Sequence, residues 1–106
     1  MIKTLVLIPT RDNAGRKFSH ESIPALEERL LQFGGFSQTR NVVGMWRSGD
    51  LVHRDISVQY TCSLRSWLQL TAWLDVVLWA RVEFRQEALY IEVVAGVPEI
   101  IDGELK

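Results

Sequence analysis

Between Val52 and Cys62 the chain alternates. Val52, Ile56, Val58, Tyr60 and Cys62 fall on one side and His53, Asp55, Ser57, Gln59 and Thr61 on the other, with Arg54 interrupting the apolar row. A period of two over this length predicts a strand with one covered and one open face. Ile2 to Pro9 is a β-branched and Leu-rich run that predicts a central strand, ended by Pro9, which has no backbone donor. Thr10 to Phe18 is polar, and Asp12-Asn13-Ala14-Gly15 has the composition of a turn. A helix follows, capped by Ser19 or Ser22 with Pro24 in its first turn; Ile23, Leu26, Leu30 and Phe33 form its apolar face, while Glu27, Glu28 and Arg29 lie largely off it. Gly34-Gly35 provides the C-cap.

Phe36 to Arg47 predicts a second strand, joined to the alternating one by the tight turn Ser48-Gly49-Asp50, so the two are antiparallel neighbours. Leu64 to Arg85 is a long apolar stretch of helix formers. Trp67, Trp73 and Trp79 recur every six residues in it and point roughly 120° apart, which makes the helix hydrophobic nearly all round and in need of cover on more than one side. Asp75, Gln69 and Thr71 interrupt it well short of the ~18 apolar residues of a membrane span. Ala88 to Ala95 predicts the last strand; Gly96-Val97-Pro98 breaks it before a short apolar tail, Glu99 to Ile101.

The order β-α-β-β-α-β predicts an α+β, ferredoxin-like fold: a four-stranded antiparallel sheet with two helices on one face and the other face open. On that frame Ile56, Val58 and Tyr60 go beneath the helices, with Leu89, Ile91 and Val93 of the last strand. His53, Asp55, Ser57 and Gln59 face outward at the centre of the sheet, with Tyr90 and Glu92 two strands away. From the second strand, either Trp46 with Val42 and Gly44, or Met45 with Val43, joins the open face.

Four short motifs carry a resemblance. Phe33-Gly34-Gly35-Phe36-Ser37, Val43-Gly44-Met45-Trp46-Arg47, Asp55-Ile56-Ser57 with Tyr60, and Phe84-Arg85-Gln86-Glu87-Ala88-Leu89-Tyr90 together resemble a group of small bacterial domains with FGGF, G-x-W, D-x-S and F-x-Q-E elements. The resemblance implies one compact domain from about Arg11 to Ile101 and implies no reaction. The tryptophan-rich second helix departs from the charged helix usual at that place in the group.

Composition narrows the classes of function. The 106 residues make a single domain; twelve Lys and Arg are balanced by thirteen Asp and Glu and no basic run occurs, which argues against a nucleic-acid binder. The single cysteine, Cys62, lies in the apolar row and reads as a buried core thiol; with no internal disulfide to form and no leader pattern at Met1 to Ile8, a cytoplasmic location is expected. His20 and His53 are 33 residues apart without acidic ligand spacing, so neither a metal nor a cofactor is expected.

Candidate chemistry concentrates on the alternating strand. His53 and Asp55, two apart on one face and about 7 Å between Cα atoms, read either as part of a solvated polar face or as a proton-transferring pair. Arg54 reads either as a side chain leaving the strand to pair with Asp12 or Asp50, or as an anion-binding guanidinium with Arg11 or Arg47. Arg11, Trp46, Arg47, Arg54, Ser57, Gln59 and Tyr90 are therefore candidate ligand contacts, and Gln86 with Glu87 a brace for the second helix or a further reach toward the open face. The expected function is that of a self-associating binding or accessory domain, taking a small molecule or a protein partner, with neither nucleic acid nor membrane. The alternative is a small enzyme of the dimeric α+β barrel type using His53 and Asp55.

Overall fold

A computed structural model describes residues 1–12, 15–17 and 21–96. Its elements follow the order β1 (Ile2–Pro9), α1 (Ser22–Leu31), β2 (Ser37–Ser48), β3 (Leu51–Leu64), α2 (Trp67–Glu83) and β4 (Tyr90–Ala95). The strands form one antiparallel sheet in the order β2-β3-β1-β4, the predicted ferredoxin-like α+β arrangement. Ser19, His20 and the apolar tail Glu99 to Ile101 lie outside the described residues.

Alternation in β1 and β3 explains the core. Ile2, Val6 and Ile8 stand opposite Leu64, Tyr60 and Val58, so one face of the two central strands is a continuous apolar surface. Leu26 and Leu30 of α1 and Trp73, Val76 and Ala80 of α2 close over it, with Phe84 fully buried beneath the end of α2. Thr4, the polar residue in that row, satisfies its hydroxyl on the Cys62 carbonyl at 3.1 Å.

The helix ends depart from the expected caps. Glu21 occupies the N-cap of α1 without a side-chain cap bond, while buried Ser22 donates its hydroxyl to Glu83 Oε1 at 3.0 Å, tying the start of α1 to the end of α2. Gln32 is the C-cap of α1; Gly34 and Gly35 follow with φ of 98° and 145° and turn the chain toward β2. In α2, Ser66 caps: its Oγ accepts from the Gln69 backbone N–H at 3.2 Å, and Gln69 Oε1 accepts from the Arg65 N–H at 2.7 Å, a reciprocal arrangement of the capping-box kind.

The all-round hydrophobic character of α2 is covered on one side within the chain. Trp73 is buried in the core and Trp79 lies against Arg29, whose guanidinium carbon sits 3.8 Å from the ring centre. Trp67, Leu78 and Val82 remain exposed, and Leu68 is 81% exposed.

Candidate functional site

The sheet is four-stranded over part of β3 alone. β1 pairs with β3 from Ile2↔Leu64 to Pro9↔Ser57, whereas β2 and β3 continue together to the Ser48↔Leu51 pair. Residues 42–48 and 51–56 therefore leave the body as a two-stranded arm, closed by Gly49 at φ 61°. Two expectations are corrected. His53 and Asp55 lie on the arm instead of at the centre of the sheet, and Ile56, 40% exposed, is not beneath the helices. The reason is length: β1 stops at Pro9, and the helices cover no more of β3 than β1 flanks.

A bulge decides which face of the arm carries Trp46. Thr39 pairs with Gln59 and Val42 with Ser57, so Arg40 and Asn41 together oppose Val58, with Asn41 at φ 56°. Even-numbered Gln38 therefore points to the helix side, while even-numbered Trp46 points to the open side, directly opposite His53. There the Trp46 ring stacks on His53, centroids 4.1 Å apart and planes 15° apart, and its Nε1–H donates to Asp55 Oδ2 at 2.8 Å. The carboxylate is thus held by an indole; imidazole and carboxylate share a neighbour, and no hydrogen bond joins them.

A cleft of about 440 Å³ opens at the base of the arm. Its walls come from three places: Pro9 to Asp12 with Gly15 at the end of β1, Trp46 and Arg54 to Ile56 of the arm, and Gln86 of the α2–β4 turn. Thr10 carries the β1 direction into this region by donating both its N–H and its hydroxyl to the Ile56 carbonyl, at 2.9 and 3.1 Å. Asp12, its side chain 2% exposed, anchors the loop: Oδ1 accepts from the Arg16 N–H at 2.8 Å, and Oδ2 lies 3.3 Å from Arg16 Nε and 3.2 Å from Arg85 Nη1. Asp12 therefore does not pair with Arg54. Gln86 is the brace the sequence suggested: its Nε2 donates to the carbonyls of Arg11 and Phe84 at 2.8 and 2.9 Å, joining loop to helix end.

The candidate ligand contacts thus divide. Arg11, Trp46, Arg54 and Asp55 meet at the cleft; His53 adjoins it through the Trp46 stack. Arg47 lies farther along the arm, opposite Val52. Ser57 is buried opposite Pro9, and Gln59 and Tyr90 flank Leu7 on the open face of the body, away from the arm. Tyr90 donates to Glu92 at 2.9 Å, which raises its phenol pKa. A polar network escaped the sequence reading: Tyr60 donates to Glu27 Oε2 at 2.8 Å, and Gln38 Nε2 reaches both, at 2.9 and 2.7 Å. Burial and the bond to Glu27 push the Tyr60 phenol above its ordinary range. The signal for it was a tyrosine in an otherwise apolar row, whose hydroxyl needed a partner at the sheet edge. Burial likewise pushes the Cys62 thiol up to about 11. Among the described residues no three His, Cys, Asp or Glu side chains converge as metal ligands, and no helix is long and apolar enough to cross a membrane.

No protein-family model and no curated protein matches this sequence. Solved structures do resemble the fold. The divalent cation tolerance protein Cut A1 of Thermus thermophilus superposes with a TM-score of 0.63 at 10% identity, over 94% of this chain and 88% of that one. CutA1 of Ehrlichia chaffeensis gives 0.62 at 11% identity, over 93% and 84%. A phage SAM lyase in its apo state gives 0.64 at 14% identity, over 88% and 78%. Identities this low establish a shared fold.

Proposed function

We propose that this chain is a self-associating binding domain whose copies pack through the β2–β3 arm. One observation carries the reading: the arm's helix-side row, Val43, Met45, Val52 and Ile56, continues the core side of the sheet into solvent, with Met45 68% exposed. These four side chains leave on the order of 400 Å² open, about half of the roughly 800 Å² per partner of a standard interface. A row of that size on a long edge hairpin is suited to burial against a second copy. The small size of the structural neighbours suits a binding or accessory role, and the lone buried thiol suits the cytoplasm.

Light scattering on the purified chain tests this. The expected result is a multimer that Met45→Asp and Ile56→Asp convert to monomer with an unchanged circular dichroism spectrum. A monomeric wild-type chain overturns the reading, and dissociation by Leu78→Asp with the arm variants still assembled would move the contact to α2.

The enzyme reading on His53 and Asp55 has one observation in its favour. A fold-level neighbour is a phage SAM lyase, solved also with S-methyl-5′-thioadenosine, so this backbone can house a reaction. The indole bond to Asp55 weighs against a direct His53–Asp55 proton relay. Turnover abolished by His53→Gln in an assembled protein would establish it.

A further inference from the structure

We propose that the cleft at the base of the arm binds a small molecule carrying a carboxylate or phosphate on a flat ring. The inference goes beyond self-association and does not depend on it. Arg11 and Arg54 are both among the residues that line the cleft. Arg11 Nη1 is steadied by the Gly15 carbonyl at 3.1 Å, and among the described residues neither guanidinium lies within ion-pair distance of a carboxylate. Both acids of the cleft already have partners other than Arg11 and Arg54. Asp12 is held by Arg16 and Arg85, and Asp55 accepts the Trp46 N–H. The acids therefore leave Arg11 and Arg54 free to meet an incoming anion, and the planar fork of a guanidinium matches carboxylate and phosphate oxygens in pairs.

The remaining walls favour a flat ring in the ligand. Trp46 is among the residues lining the cleft and keeps half its surface exposed beside the His53 stack, so it supplies aromatic surface for a flat ligand. Pro9 and Ile56 add apolar wall, and the volume of about 440 Å³ is in the range of small-molecule sites and far too small for a macromolecule. Gln86 and Asp12 fix the backbone beside Arg11, so this wall of the site is formed before a ligand arrives.

The probes are benzoate, phenyl phosphate, benzyl alcohol and inorganic phosphate, each titrated into the wild-type chain and followed by amide and indole NMR shifts. Benzoate or phenyl phosphate is expected to give saturable shifts at Gly15, Ile56 and the Trp46 indole, with benzyl alcohol at least about tenfold weaker; the tighter of the two ring anions assigns carboxylate or phosphate. Inorganic phosphate, lacking the ring, is expected to move Gly15 and leave the indole unmoved. Arg54→Gln is expected to weaken the ring anion about tenfold and Arg54→Lys to restore part of the loss, both with an unchanged fold. Equal affinity for benzoate, phenyl phosphate and benzyl alcohol, no effect of Arg54→Gln, or saturable shifts confined to other surfaces would overturn the proposal.

Discussion

The Trp46 indole N–H donates a 2.8 Å hydrogen bond to Asp55 Oδ2, linking the two strands of an arm that runs on past the end of β1. The ring stack on His53 adds a second cross-strand contact on the same face. A two-stranded ribbon is marginal by itself in water, so these contacts bear on whether the arm keeps its shape in a single copy. Trp46→Phe retains a ring for the stack and removes the donor. Backbone amides 43–46 and 53–56 are expected to exchange several-fold faster, while global stability falls by less than about 1 kcal/mol because the bond is exposed. Hydrogen exchange resolved by residue checks this; unchanged arm protection would mean the bond does not hold the strands.

Asp12 makes the opposite case, a buried carboxylate whose partners are exposed arginines. The exposed guanidiniums contribute modestly, so the larger part of its effect is the bond to the Arg16 N–H and the closing of the loop, in which Gly15 N–H also donates to the Asp12 carbonyl at 2.9 Å. Asp12→Ala is expected to lower the unfolding free energy by about 1.5–3 kcal/mol. Asp12→Asn, which keeps an acceptor for the Arg16 N–H, is expected to lose about half of that. Urea denaturation of the two variants beside the wild type gives both numbers.

The element order and the sheet were legible because they rest on periodicity: alternation in β3, the apolar run of β1 and the 3.6-residue spacing of Ile23, Leu26 and Leu30. The site was legible in its members and not in its grouping. His53, Asp55 and Trp46 could be named from composition, yet the face of Trp46 depends on one extra residue at Arg40–Asn41, which no hydrophobic period signals. The placement of His53 at the sheet centre failed for a similar reason. Alternation runs through β3 with a single break at Arg54 and is blind to where the neighbouring strand stops. Arg54, an interruption when viewed along the strand, became intelligible once the apolar face around it proved uncovered. The bonds of Asp12 and Gln86 join residues more than seventy positions apart and lie beyond any local pattern.

Two buried groups are expected to cost the fold stability at alkaline pH. Cys62 and Tyr60 are neutral when protonated, and each holds its proton more tightly folded than unfolded, the thiol being pushed from 9.0 up to about 11. As pH rises past 9 the unfolded chain releases its thiol proton first, so the stability contribution is complete below pH 9 and is lost through pH 11, with Tyr60 extending the loss above pH 10. The fall from Cys62 is expected to approach about 2 kcal/mol by pH 11. Urea midpoints between pH 7 and pH 10.5 should decline for the wild type, and Cys62→Ala should flatten the first part of that decline. An undiminished slope in the variant would assign the loss to other groups.

The bulge itself yields the sharpest structural test. Asn41 adopts φ 56°, a backbone region that glycine enters freely, asparagine tolerates and β-branched residues resist. Asn41→Val is therefore expected to cost about 1–2 kcal/mol and Asn41→Gly less than about 0.5 kcal/mol. Deleting Asn41 is the more revealing change. Arg40 alone would then oppose Val58, and Val42 would still meet Ser57, so every pair from there to the turn is preserved. Trp46 is expected to remain opposite His53, with the ring-to-ring contacts intact in nuclear Overhauser spectra. Deleting Gly44 instead removes a residue inside the regular part of the arm and puts Trp46 out of register with His53. If the two deletions disturb the Trp46–His53 contact equally, the extra residue is not where β2 absorbs its change of face.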